Sequence, residues 1–90
     1  MHYVYIIYSE KTDRYYTGHS KDVDVRLVKH NKCHSAATKA GVPWRLEKKI
    51  AFPTKSEAIK AENWIKRMKS RRIIEQIIQD KIDLHEVITG

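Results

Sequence analysis

Residues 2 to 8 carry tyrosine, isoleucine and valine almost without interruption. Ser9-Glu10-Lys11-Thr12-Asp13 is then wholly polar, before a second tyrosine-bearing run that reaches Gly18. β-Branched and aromatic runs separated by a short polar segment predict two strands joined by a turn, an antiparallel hairpin. If Ser9 pairs with Arg14, paired residue numbers sum to 23, and that odd sum places Tyr5 and Tyr16 on one face as diagonal neighbours. A slip of one residue would separate them.

The pattern then changes period. Asp22 is placed to cap a helix over about Val23 to Asn31, its side chain accepting otherwise unpaired amide hydrogens and its charge favouring the positive helix end. Val23, Leu27 and Asn31 share one face, while Arg26 and His30, four residues apart, project together from another. Residues 32 to 43, with Gly41 and Pro43, predict a loop. Trp44 to Phe52 has the length and aromatic ends of a third strand, although its alternation is imperfect, and Pro53 stops it. Thr54-Lys55-Ser56-Glu57 reads as a capping box opening a helix that carries Ala58, Ala61, Ile65 and Met68 inward. Ser70 is placed to cap a further helix, whose Ile73, Ile74, Ile77 and Ile78 form an apolar stripe. The tail after Asp80 gives no assignment.

The order β-β-α-β-α-α occurs once, without a repeat or a Pro/Gly-rich linker. It predicts an α/β (α+β) fold in which helices flank a three-stranded antiparallel sheet, and residues 1–90 fit one small domain.

Charge narrows the partner. A net charge of +7 and an isoelectric point near 9.6 favour a polyanion, nucleic acid ahead of an acidic membrane surface. The densest basic segment is Lys60, Lys66, Arg67, Lys69, Arg71 and Arg72, with Lys39, Arg45, Lys48 and Lys49 extending it. Lys39, Lys66, Arg67 and Lys69 are the candidate nucleic-acid contacts; a solvated helical face is the plainer reading, because these side chains point in several directions. The single Cys33 cannot form an internal disulfide, no signal-like segment opens the chain, and no apolar run approaches the roughly 20 residues of a membrane span. A cytoplasmic protein that does not enter membranes is the expectation. His30, Cys33 and His34 lack the second paired cluster of a zinc site. Trp44 and Trp64 have the chemistry to stack on bases, but packing is favoured for both.

Tyr3-Val4-Tyr5 and Tyr16-Thr17-Gly18, then Arg26 and His30 on the following helix, then Glu62 in Lys60-Ala61-Glu62-Asn63, form a constellation that resembles the GIY-YIG nuclease superfamily. That family pairs a Gly-Ile-Tyr-like strand with a Tyr-Ile-Gly-like strand, and the resemblance, to a compact stand-alone member, covers nearly the whole chain. Tyr3 stands where the first signature has glycine, and no asparagine near the C-terminus matches. The resemblance implies metal-dependent hydrolysis of a phosphodiester; the expectation is an endonuclease acting on DNA ahead of RNA, structure-selective or repair-related, with specificity supplied by a protein partner or by recognition of branched or single-stranded structure. It assigns catalysis to Tyr5, Tyr16, Arg26, His30 and Glu62, with Glu62 holding Mg2+, for which Mn2+ can substitute. In this reading Tyr16 activates water and Tyr5 orients it or the phosphate; Arg26, the metal or a proton relay through His30 favours the phenolate, with His19 as another acceptor, and the sequence does not choose among them. The opposing class is a nucleic-acid-binding module that keeps the fold and charge without efficient catalysis; a third is an interaction domain docking through its isoleucine-rich helix. Taken singly, Arg26 would pair with Asp22, and Glu62 with Lys66, as ordinary helix neighbours.

Overall fold

A computed structural model describes residues 1–89. The strands are β1 (His2–Ser9), β2 (Arg14–Ser20) and β3 (Trp44–Phe52). The helices are α1 (Val23–Asn31), α2 (Lys55–Met68), α3 (Arg71–Ile78) and α4 (Leu84–Thr89), with a single 3-10 turn at Lys39–Gly41. The strands form one antiparallel sheet in the order β2-β1-β3. The hairpin register opposes Ser9 to Arg14 and Tyr5 to Gly18, so Tyr5 and Tyr16 share a face as the turn length predicts.

Central position explains the unbroken apolar run of β1. Val4 and Ile6 pack on one side with Phe52, Ala58, Ala61, Ile65, Ile77 and Leu84, the layer of α2, α3 and α4. Tyr5 and Ile7 pack on the other with Val23 and Trp44, under α1. A strand buried on both faces has no polar side to alternate with. The imperfect alternation of β3 also has a cause: Ile6 faces Lys48 but Ile7 faces Leu46, so Glu47 is an extra residue at a bulge.

The helix starts follow their caps. Asp22 Oδ1 accepts from the Val25 amide at 3.1 Å, Thr54 Oγ1 from Glu57 at 3.2 Å, and Ser70 Oγ from Ile73 at 3.2 Å. One expectation needs correction, and one unassigned segment gains structure. Met68 is 44% exposed rather than inward, because α2 ends there, at the left-handed Lys69, after running past the edge of the core. The tail after Asp80 folds into α4, which buries Leu84 and is started by Asp83 accepting from the His85 amide at 2.9 Å. The isoleucines of α3 pack on the main core, Ile77 fully buried and Ile73, Ile74 and Ile78 partly so. Among the described residues no helix is long and apolar enough to cross a membrane.

Candidate active site

A cleft of about 260 Å³ opens at the β2 edge, lined by Tyr5 and His2 of β1, Tyr16, Gly18, His19 and Ser20 of β2, Arg26 of α1, and Lys55 and Glu62 of α2. Four of the five candidate catalytic side chains therefore share one hollow. The fifth, His30, lies directly behind it, 2% exposed.

His30 Nε2 is 2.8 Å from the Tyr5 hydroxyl, and His30 Nδ1 is 2.8 Å from Thr38 Oγ1. The proton positions follow from the partners. The Arg26 guanidinium in the same cleft has no acceptor to offer, so the Tyr5 O–H finds its acceptor only if it donates to His30 Nε2. Thr38 turns its own hydroxyl hydrogen toward the Ser35 carbonyl at 3.5 Å, which leaves its oxygen to accept from His30 Nδ1–H. The buried chain thus reads Tyr5 to His30 to Thr38, with Nδ1 carrying the imidazole proton. Burial, with Arg26 adding to it, holds the His30 pKa below its ordinary value, so the ring is neutral and its Nε2 lone pair is available near pH 7. Burial raises the Tyr5 phenol, and Arg26 pulls it back.

Thr38 comes from the segment that the sequence leaves as loop, yet it is fully buried. Trp44 Nε1–H donates to its carbonyl at 2.7 Å, and a Cβ on Gly41 would stand 2.4 Å from the Trp44 ring. Trp44, Gly41 and Thr38 thus act as one support behind His30. Both ring nitrogens of His30 are engaged, so it is not free to join Cys33 and His34 around a metal.

Gly18 has a steric reason of its own. A Cβ there would lie 2.4 Å from the Tyr5 hydroxyl, because the Tyr5 ring occupies the space over its strand partner. Gly18→Ala is expected to displace that hydroxyl from His30, lowering any activity by about 10²-fold, the cost of misplacing a reacting group by about 1 Å. Crystallography of the variant together with its rate checks this; an unmoved Tyr5 with full activity contradicts it.

Glu62 is 8% exposed although it lies on a helix. Its Oε2 pairs with Lys66 Nζ at 2.6 Å, the ordinary neighbour pair, but its Oε1 is buried without any hydrogen-bond donor, the one such side-chain atom among the described residues. A buried carboxylate oxygen with no donor, on a residue that lines the cleft, suits a hard cation, and the chemistry of the site fits a divalent ion held by one carboxylate and several waters. Among the described residues no group of three or more His, Cys, Asp or Glu side chains forms an all-protein cage.

Lys66 and Lys69 line a larger cavity of about 540 Å³ with Arg14, Tyr15 and Tyr16. Tyr16 borders both cavities, and Lys66 lies 5.7 Å above its ring. Lys39 and Arg67 are exposed and line neither cavity. Trp44 is buried and Trp64, partly buried, packs against the main core. Residues that the sequence did not single out, His2, Ser20, Lys55 and Thr38, complete the site.

Buried neutral His30 also sets a pH dependence. Its folded pKa is lowered, so below about pH 6.5 the unfolded chain takes up a proton that the native state resists. Stability is therefore whole above that value and falls as pH drops toward the folded pKa. Urea midpoints measured from pH 7.5 to 5 are expected to show this decline, and His30→Asn to flatten it; equal slopes would exclude His30 as the source.

A family model described as the GIY-YIG catalytic domain matches residues 1–74. The UPF0213 protein BH0048 of Halalkalibacterium halodurans is 42% identical over 81 residues, 89% of this chain and 84% of that one. The UPF0213 protein SSP2268 of Staphylococcus saprophyticus is 40% identical over 79 residues, 83% of this chain and 95% of that one. The solution NMR structure of the UPF0213 protein BH0048 from Bacillus halodurans matches with a TM-score of 0.57 at 40% identity, covering 89% of this chain and 84% of that one.

Proposed function

Because the chain belongs to the GIY-YIG catalytic domain family, a family of nucleases, we propose that it is a divalent-cation-dependent endonuclease hydrolysing DNA phosphodiester bonds. The observation that carries this reading is the Tyr5 hydroxyl, bonded to His30 Nε2 in a cleft that Arg26 and Glu62 also line, where a carboxylate oxygen lacks a donor.

In this mechanism a water attacking phosphorus gives its proton to the Tyr5 oxygen as Tyr5 passes its own to His30 Nε2. A phenol with a pKa of about 10 is a poor base unless its proton has somewhere to go, and neutral His30 receives it. The accepting nitrogen of His30 is committed to Tyr5, so we assign water activation to Tyr5 and water or phosphate positioning to Tyr16, the reverse of the roles expected from sequence. Arg26 presents its planar donor fork to the phosphate oxygens as negative charge grows on them. A divalent cation at Glu62, Mg2+ or Mn2+, would supply Lewis-acid polarisation of the phosphate and charge neutralisation at the leaving oxygen. Lys66 and Lys69 line the adjoining cavity, which supports them over Lys39 and Arg67 as nucleic-acid contacts beyond the scissile bond. With one small domain supplying few base-reading groups, a branched or repair intermediate, or a partner protein, supplies specificity in this reading.

The test is an assay of duplex, single-stranded and branched DNA, and of RNA, with Mg2+, Mn2+ or EDTA. Cation-dependent cuts in at least one DNA substrate are expected, with DNA cleaved faster than RNA. Salt-sensitive binding without cleavage under every condition would replace this reading with the binding module.

A further inference from the structure

Two imidazoles in the cleft take no part in the steps above. His2 Nε2 lies 2.8 Å from His19 Nδ1, and His19 Nε2 lies 3.8 Å from Glu62 Oε1. His19 pairs across the hairpin with Val4, so it projects to the face of the sheet covered by α2, which carries Glu62. We propose that His19 is a second protein ligand to the cation at Glu62, so that the site takes a first-row transition ion such as Mn2+ in preference to Mg2+. This rests on the cation reading given under the proposed function.

Three observations lead to it. First, 3.8 Å is too long for an N–H···O hydrogen bond, yet it lies within about 4.2 Å, the largest separation of two atoms each about 2.1 Å from one ion. Second, the atom that His19 faces is the orphaned Oε1, already desolvated and without a donor. An imidazole N–H aimed at such an acceptor would be expected to close to hydrogen-bond distance; a lone pair would stand off from it, as seen. Third, the contact with His2 engages Nδ1 of His19 and leaves Nε2 free. If His19 Nδ1–H donates to His2 Nε2, His19 turns a lone pair toward Glu62. Ligating histidines characteristically donate their other ring N–H in this way, which fixes tautomer and ring orientation. His2 is then a positioning residue.

The consequence is selectivity. A lone carboxylate with waters suits Mg2+, whereas an added imidazole nitrogen favours first-row transition ions. The side chain of His19 is 31% exposed, so an ion can reach it from solvent.

The test uses Mn2+ itself, with the wild-type chain in excess. Free ion is followed by electron paramagnetic resonance at room temperature, and bound ion in frozen solution by electron spin-echo envelope modulation. Nitrogen coupling to bound Mn2+ is expected in the wild type. In His19→Gln that coupling should vanish while Mn2+ still binds, and the preference for Mn2+ over Mg2+ in competition should fall about 10-fold. His2→Ala should keep the coupling and weaken Mn2+ binding by about 10–100-fold. Bound Mn2+ that shows no nitrogen coupling, with binding still abolished in Glu62→Gln, would overturn the role of His19 and leave the hydrolytic reading intact. Absence of Mn2+ binding at Glu62 would overturn both.

Discussion

Tyr5→Phe is expected to slow cleavage by about 10²–10⁴-fold, the range for loss of a positioned proton acceptor, while leaving nucleic-acid affinity within a few fold. The substitution keeps the ring that fills the space over Gly18, and it removes one atom, the oxygen bonded to His30 Nε2. It also strands Nε2 in a buried setting, at a cost of about 1–3 kcal/mol unless a water enters. A urea titration alongside the rate separates these effects, because a destabilised but folded variant still shows the full rate loss. Tyr16→Phe is the discriminating control. Its ring meets His30 edge-on at 5.3 Å, a packing contact with no path for a proton. A loss at Tyr16 much larger than at Tyr5 would restore the roles expected from sequence and sink the relay through His30.

That relay shows where the sequence is readable and where it is not. The hairpin is legible because turn length and face alternation together allow one register, and the register puts Tyr5 opposite Gly18. Arg26 is legible from helical spacing once Asp22 fixes the start of α1. Thr38 is not. It lies in a loop without periodicity, and it is held by a tryptophan from the next strand and by the missing side chain of Gly41, relations that exist only after folding.

Glu62 is a different case. At the level of sequence it is one more helical glutamate four residues before a lysine, and that pair does form, at 2.6 Å. What sets it apart is the packing of α2 beneath β2, which removes its other oxygen from water; local pattern does not encode that burial. Met68 fails for the mirror reason: the period of the helix continues past the point where the sheet stops. The pairing of His2 with His19 is not legible in sequence, because their contact joins two strands diagonally.

The separation of packing from chemistry at Glu62 makes Glu62→Gln the most informative substitution. It is expected to reduce cation-dependent cleavage by at least about 10³-fold, since several kcal/mol of charge stabilisation at the phosphate depends on the carboxylate. In metal-free buffer the same variant is expected to be more stable than the wild type. Oε1 is a desolvated acceptor without a donor, a defect of about 1–3 kcal/mol. A glutamine can place its amide N–H there, toward the His19 nitrogen, while its oxygen keeps the contact with Lys66. At about 4–8 °C per kcal/mol for a domain of this size, calorimetry in EDTA should register a higher midpoint. Adding Mn2+ should reverse the order, because an ion bound only by the native wild type stabilises it in proportion to the logarithm of its concentration over Kd. A variant less stable in EDTA would show that Oε1 is not a frustrated acceptor, and midpoints that respond equally to Mn2+ would show that Glu62 does not hold the ion. Crossed midpoints combined with lost cleavage would mean that this carboxylate is kept for the ion, against the preference of the fold.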